Sequence, residues 1–233
     1  MIKELLRHLL VKRRTFDGMS NTHAELIKVT RGVTKSRSEN FQDLWVLAST
    51  NSKRNGFFVE FGASDGVSGS NTWLLEREYG WDGILAEPSR SSFKELRQNR
   101  SCVSDARAVW DKSGQKLVFC ERIENYLSSV KDESSGGDVE EEYYVESISL
   151  NDLLSEHNAP EIIDYMSVDV EGSELRILQN FFEQKKYSVR LFSIEHNWRQ
   201  DKKEIIDLLC ANNYTNVYSN LSHRDLYFLK KDL

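Results

Sequence analysis

The stretch Phe57-Phe58-Val59-Glu60-Phe61-Gly62-Ala63-Ser64-Asp65-Gly66 constrains the fold more than any other part of the chain. An apolar run interrupted by one glutamate enters closely spaced glycines, and Ser68-Gly69-Ser70-Asn71-Thr72 then opens a helical pattern at Trp73-Leu74-Leu75. The order is strand, tight turn, helix. Glycine has no Cβ, so backbone N–H groups and a helix N-terminus can approach a polar ligand closely at such a turn. A nucleotide-like ligand is the first expectation.

From Phe57 onward, apolar runs alternate with helical patterns, which argues for a parallel sheet covered by helices on both faces. Upstream, Ser38 to Asp43 predicts a capped helix over Leu44, Val46, Leu47 and Ala48 that delivers the chain to the first strand. Strand one, Phe57 to Gly62, leads to a helix from about Asn71 to Tyr79, with Gly80 in the position favoured for a C-cap. Strand two is Gly83 to Glu87, closed by Pro88, and Ser92 with Glu95 has capping-box spacing for the next helix. Cys102 to Trp110 reads as a third strand with its trailing residues, and Lys116 to Glu121 as a further short β segment. Lys131 to Glu142 is acidic and nearly free of apolar anchors, which predicts a solvated loop, with a mobile lid over a substrate as the alternative.

Tyr143 to Leu150 alternates like a strand and enters a short helix at Asn151 to Leu154. Ile162 to Asp169 reads as a fourth parallel strand, followed by the amphipathic helix of Leu175, Leu178 and Phe182. Strand five, Val189 to Ile194, precedes a helix carrying Ile205, Ile206, Leu208 and Leu209. Tyr214 to Tyr218 and Asp225 to Leu229 finish the chain as a hairpin, which gives the sheet an antiparallel edge.

At 233 residues, 39% hydrophobic and 29% charged, the chain suits one sizeable α/β domain, two small domains being the alternative. A formal charge of -6 leaves no general electrostatic drive toward nucleic acid. Cys102, Cys120 and Cys210 are odd in number and match no metal-ligand spacing, which points to reduced thiols and a cytoplasmic setting. No segment approaches the roughly 18 to 20 apolar residues that span a bilayer. Residues 1–37 form a unit apart from the domain at 38–233. Its start places Ile2, Leu5, Leu6, Leu9 and Leu10 on one helical face with Lys3, Arg7, Lys12, Arg13 and Arg14 around the rest. The expected role is a helix packed on the domain or on a second subunit, with peripheral membrane contact as the alternative.

In an open α/β sheet, ligands bind outside the carboxyl ends of the strands near the point where strand order reverses. The polar residues of this chain collect at those ends: Glu60 and the Gly62 to Gly66 turn, Glu87, Asp169 with Glu171, and Glu195-His196-Asn197. The turn lacks G-x-G-x-x-G spacing, because Ser64 stands where the second glycine belongs, and it has no P-loop Lys-Ser/Thr. Carboxylates at Glu60, Asp65 and Glu87 would repel a diphosphate but accept ribose O–H and ammonium N–H bonds. S-adenosylmethionine carries a ribose, an ammonium and a sulfonium.

Several blocks in one order resemble the FkbM-type methyltransferases: Glu60 to Gly66, Ser70-Asn71-Thr72, Gly80 to Pro88, Ile163 to Glu174, and Ile194 to Asn197. The resemblance covers roughly residues 38 to 230 and departs mildly at Ser64, where the family often has Asn. It implies a Rossmann-like class I methyltransferase fold with a mostly parallel twisted sheet, S-adenosylmethionine as donor, and O-methylation of a hydroxyl on a sugar, glycan or related natural product. Under it, Glu60, Gly62, Ala63, Ser64, Asp65 and Gly66 with Asn71 face the methionine moiety, Glu87 with Pro88 the ribose, and Asp105 with Ala106 the adenine. His196 titrates near neutrality and is a general-base candidate, while Asp169 orients the acceptor or takes the proton itself. Asp169, Glu171 and Glu195 are alternatively a divalent-cation site that lowers the hydroxyl pKa. The rival readings are a nucleotide-cofactor oxidoreductase or sugar-nucleotide enzyme, and a binding module without turnover.

Overall fold

A computed structural model describes residues 33–122, 128–131, 139–197, 199–218 and 224–231. The N-terminal amphipathic helix, most of its connector, the acidic residues 132–138, Trp198 and the hairpin turn at 219–223 lie outside the described residues. Among those described, the chain runs α1 (Gln42–Ser49), β1 (Phe57–Phe61), α2 (Trp73–Tyr79), β2 (Asp82–Ala86), α3 (Arg90–Asn99), β3 (Val103–Asp105), β4 (Ala108–Trp110), β5 (Lys116–Arg122), β6 (Ser129–Val130), β7 (Val139–Ser149), α4 (Leu150–Glu156), β8 (Ile162–Val168), α5 (Glu174–Gln184), β9 (Ser188–Glu195), α6 (Lys202–Ala211), β10 (Tyr214–Val217) and β11 (Asp225–Lys230).

Seven strands form the main sheet in the order β10-β11-β9-β8-β1-β2-β3. The five from β9 to β3 are mutually parallel, and β11 pairs antiparallel with both β9 and β10. The expected parallel sheet with an antiparallel hairpin edge is therefore present. Because successive residues of a strand point to opposite faces, Val59, Ile84, Met166 and Phe192 meet Ile177, Leu178 and Phe181 of α5 on one side. Phe58, Leu85, Tyr165 and Tyr227 meet Leu44 and Trp45 of α1 and Leu74 and Leu75 of α2 on the other. Both faces are dry, which is why these strands read as near-continuous apolar runs.

Strand order reverses between β1 and β8, and the register there is level. Phe61 lies opposite both Ala86 and Val168, Val168 opposite Ile194, and Asp225 opposite Glu195. The residues just past the strands, Glu87, Gly62 and Asp169, thus stand beside Glu195 and Asp225 along one edge of the sheet. Gly62 makes this possible. Its φ is +79°, and a Cβ built on it would lie 1.6 Å from the Asp169 carbonyl oxygen, while the Asp169 N–H bonds the Phe61 carbonyl at 3.2 Å.

Three expectations are corrected. Cys102 to Trp110 holds the expected third strand at Val103–Asp105, but its trailing residues form a separate strand: the Asp105 carboxylate accepts the Arg107 N–H at 2.9 Å, an Asx-type turn, and the chain leaves the main sheet after β3. Strands β4 to β7 belong to a second sheet, in the order β4-β7-β5-β6. Residues 139–142, expected in a solvated loop, extend β7 against β5, since a backbone ladder is indifferent to the acidity of side chains that stay in solvent. Helix α3 is capped by Ser89 rather than Ser92, the Ser89 hydroxyl accepting the Ser92 N–H at 3.2 Å.

Gly62→Ala is expected to cost about 4 kcal/mol or more, because backbone rather than a movable side chain occupies the space. Gly114→Ala, at φ +76° but with nothing within 4 Å of the new Cβ, should cost only about 1 to 2 kcal/mol of left-handed strain. Urea unfolding of the two variants beside the parent measures the contrast.

Candidate active site

The level strand ends floor a cavity of about 640 Å³. Nine carboxylates and one arginine, Arg224, line it; no lysine or histidine does among the described residues. Such a wall favours a cationic or hydroxyl-rich ligand and disfavours a polyphosphate.

The glycine turn is held from several sides. Ser64 adopts φ +48° and Gly66 +77°, and the Ser64 N–H donates to Glu87 Oε2 at 2.8 Å. Glu87 Oε1 accepts the Ser89 N–H at 2.7 Å, so each oxygen of this buried carboxylate has one partner and room for a second donor. Burial pushes the Glu87 carboxyl up to about 7, with nearby Glu121 adding to the rise and the two N–H bonds opposing it. Asp65 is committed to local structure, accepting the Val67 and Ser68 N–H groups at 2.8 and 2.7 Å and the Ser68 hydroxyl at 2.8 Å.

Glu60 also works within the protein. Its oxygens accept the Asn71 N–H at 2.7 Å and the Ser70 and Thr72 hydroxyls at 3.1 and 2.5 Å. Asn71 in turn donates to the Ser167 hydroxyl at 2.9 Å and accepts from the Ser38 hydroxyl at 2.6 Å. The loop at 70–72 is therefore tied to β1, β8 and the segment before α1. Glu60, Gly62, Ala63, Ser64, Asp65, Asn71, Glu87, Asp169 and Glu171 all line the cavity.

Five sequence-designated residues, Gly66, Pro88, Asp105, Ala106 and His196, do not line it; the Gly66 carbonyl is turned to Arg100 at 3.0 Å. The Asp105 carboxylate is engaged by Arg107 at 2.6 and 3.0 Å and by His157 at 2.8 Å. Burial opposes its ionisation, but these hydrogen bonds hold the carboxyl below its ordinary range. Neither Asp105 nor Ala106 reaches the cavity wall, and the adenine role expected of them has no support here. Pro88 instead lines a smaller apolar slot with Val109, Phe119 and Val130, which shares Gly62, Glu87, Ser128 and Asp169 with the main cavity. His196 is 1% exposed. Burial, with Lys202 adding, pushes its imidazole down to about 4, so it is neutral at pH 7. A buried ring outside the cavity wall is not placed to take a proton from an acceptor.

The chemistry concentrates instead at the ends of β8 and β9. Oxygens of Asp169, Glu171 and Glu195 lie within 4.8 Å of one another. Asn197 Nδ2 donates to Glu171 at 3.0 Å and Glu195 at 2.8 Å, and Arg199 bridges Glu171 and Glu174, both at 3.1 Å. All three carboxyls are raised: Asp169 by burial and then by Glu195, Glu171 by burial and then by Glu195, and Glu195 by burial, with Asp225 adding. Burial and the neighbouring Glu195 thus favour the protonated form of Asp169. This group can accept a proton from a hydroxyl or surround a divalent cation. Asp225, which sequence reasoning left in a hairpin, joins the wall only through the antiparallel pairing of β11 with β9; no local signal marks it.

A mostly parallel sheet of this order, with its cleft at the switch point, defines a Rossmann-like α/β fold. The chain belongs to the FkbM methyltransferases: the family described as Methyltransferase FkbM domain matches residues 60–215, well over half of its length. Membership supports methyl transfer as the reaction class and S-adenosylmethionine as the donor. No curated protein matches the chain in sequence. Solved structures with partial likeness include the METTL16 MTase domain, at 14% identity and TM-score 0.47 over 81% of this chain and 65% of that one. Others are the precorrin-6y C5,15-methyltransferase of Geobacter metallireducens (8%, 0.44, 80% and 85%) and the ribosomal protein L11 methylase of Lactobacillus delbrueckii subsp. bulgaricus (9%, 0.44, 82% and 77%). The chain thus spans just under two thirds of the METTL16 domain.

His196→Ala should leave donor affinity within about twofold, as calorimetry would read it, while lowering the melting temperature. The sign with pH comes from a folded pKa below the unfolded value of 6.5. The unfolded chain binds the extra proton as pH falls from 6.5 toward 4, so the parent loses stability over that window. The variant should lack that component.

Proposed function

We propose that the protein is an S-adenosylmethionine-dependent O-methyltransferase acting on a hydroxyl of a sugar, glycan or related natural product. The observation that carries this reading is the row of carboxylates at the sheet edge, which fits a ligand bearing ribose hydroxyls, an ammonium and a sulfonium. S-adenosylmethionine supplies a methyl group on a positively charged sulfur. Glu87 would accept from the donor's ribose hydroxyls, and the backbone at 62–65 with Asn71 would hold its methionine end.

Placement against a methyl donor provides much of the acceleration, since displacement at carbon needs an aligned acceptor oxygen. A sugar hydroxyl must still lose its proton. The Asp169–Glu195 pair, raised in pKa by burial and by neighbouring acids, is a stronger base than an exposed carboxylate, and Glu171 with Asn197 orients it. The same three acids favour a second reading in which a divalent cation draws them together and lowers the hydroxyl pKa. A cytoplasmic setting accords with cysteines that are free of disulfides. No helix among the described residues is long and apolar enough to cross a membrane.

Glu87→Ala should weaken donor binding by about 1 to 3 kcal/mol, the range for hydrogen bonds to a charged group; unchanged affinity in calorimetry would remove Glu87 from the donor site. Asp169→Asn should keep donor affinity within about threefold while reducing turnover about 100-fold or more, measured by transfer of labelled methyl to sugar and glycan acceptors. Binding of the donor with no label entering any hydroxyl acceptor would favour a module without turnover. Full activity after exhaustive chelation assigns the proton to the carboxylates, and loss restored by magnesium assigns it to a cation.

A further inference from the structure

Arg100 lies just past the last residue of α3 and has no counterpart among the motifs at the strand ends. Its side chain is 0% exposed. Buried guanidinium groups persist only where their donors are matched, and here the matches converge on one loop. One terminal nitrogen donates to the Gly66 carbonyl at 3.0 Å and the Ser70 hydroxyl at 3.1 Å. The other donates to the Thr72 hydroxyl at 2.9 Å. Nε bonds Glu76 on α2, and the side-chain stem fills the space beneath Gly66, where a Cβ would meet Arg100 Cγ at 2.7 Å.

The Ser70 and Thr72 hydroxyls that receive from Arg100 donate in turn to Glu60. Arg100 and Glu60, 3.8 Å apart, therefore grip the loop from two sides through shared hydroxyls. The neighbouring Asn99 adds a bond from Nδ2 to the Asp65 carbonyl at 2.9 Å. Two successive carbonyls of the turn, those of Asp65 and Gly66, are thus held by the end of α3. A carbonyl facing the cavity would repel a ligand carboxylate. The gripped loop presents Ser68, Gly69, Ser70 and Asn71 to the cavity wall.

We propose that Arg100 is a positioning residue for the methyl donor: with Glu60 it sets the loop at 66–72 against the donor's amino-acid end without touching the donor. This rests on the donor orientation proposed above. Lysine keeps the charge but loses the planar fork that reaches four acceptors at once, so Arg100→Lys separates geometry from charge. Calorimetry with two ligands reads the effect: S-adenosylhomocysteine, which has the amino-acid end, and 5′-methylthioadenosine, which lacks it. The expected result is an Arg100→Lys variant with parental circular dichroism that binds S-adenosylhomocysteine at least tenfold more weakly and methylthioadenosine within twofold of the parent. Equal weakening of both ligands, or of neither, overturns the proposal. Should Arg100→Lys fail to fold, Thr72→Val removes one shared hydroxyl. It should then lose threefold or more for S-adenosylhomocysteine alone, and an unselective or absent effect overturns the proposal as well. A parent protein that binds neither ligand overturns the donor reading itself, an outcome distinct from a parent that binds both.

Discussion

The contact between β1 and β8 at Gly62 sets the geometry on which the rest of the molecule depends. With no Cβ in the way, the Asp169 carbonyl approaches the Gly62 backbone while the Asp169 N–H closes the ladder onto Phe61. The two strands at which sheet order reverses therefore end level. Glu87, Asp169, Glu195 and Asp225, at or just past that line, all face one cavity. A side chain at Gly62 would push the strands apart and scatter those groups.

Crowding carboxylates at a sheet edge raises their pKa values, because each buried charge loses hydration and repels its neighbours. The protein answers in two ways. Glu60 and Asp65 are saturated with hydroxyl and N–H donors and serve as scaffolding. Glu87, Asp169 and Glu195 are left with raised pKa values, and they are the groups with capacity for a ligand or a proton. The distinction between scaffold and site is thus a matter of how many donors each acid already has.

Sequence patterns showed the main sheet well, since β1, β2, β8 and β9 are apolar runs bounded by turn residues and their order is legible from alternation with helices. The second sheet stayed hidden because β4 is too short to show a period and β7 begins with exposed acids that show no strand alternation. At the site, motif position located Glu87, Asp169 and Glu195 but could not tell which acids were already occupied: Asp105 looks like a strand-end ligand until Arg107 and His157 are seen to claim it. His196 has the right chemistry at the right strand end, yet its position places the ring in the protein rather than in the cavity. Arg100 carries no local signal, because its role arises from where the end of α3 meets a loop about thirty residues earlier.

The central claim is that the acid-lined cavity binds a cationic, hydroxyl-bearing donor through an ionised Glu87. Burial raises the Glu87 carboxyl to about 7 in the free protein, and hydroxyl donors together with a sulfonium favour its charged form. Calorimetric titration with S-adenosylmethionine at pH 7, in two buffers of different ionisation enthalpy, counts the protons exchanged. The account predicts one-to-one binding with net proton release. Binding without proton exchange, or with proton uptake, would contradict it.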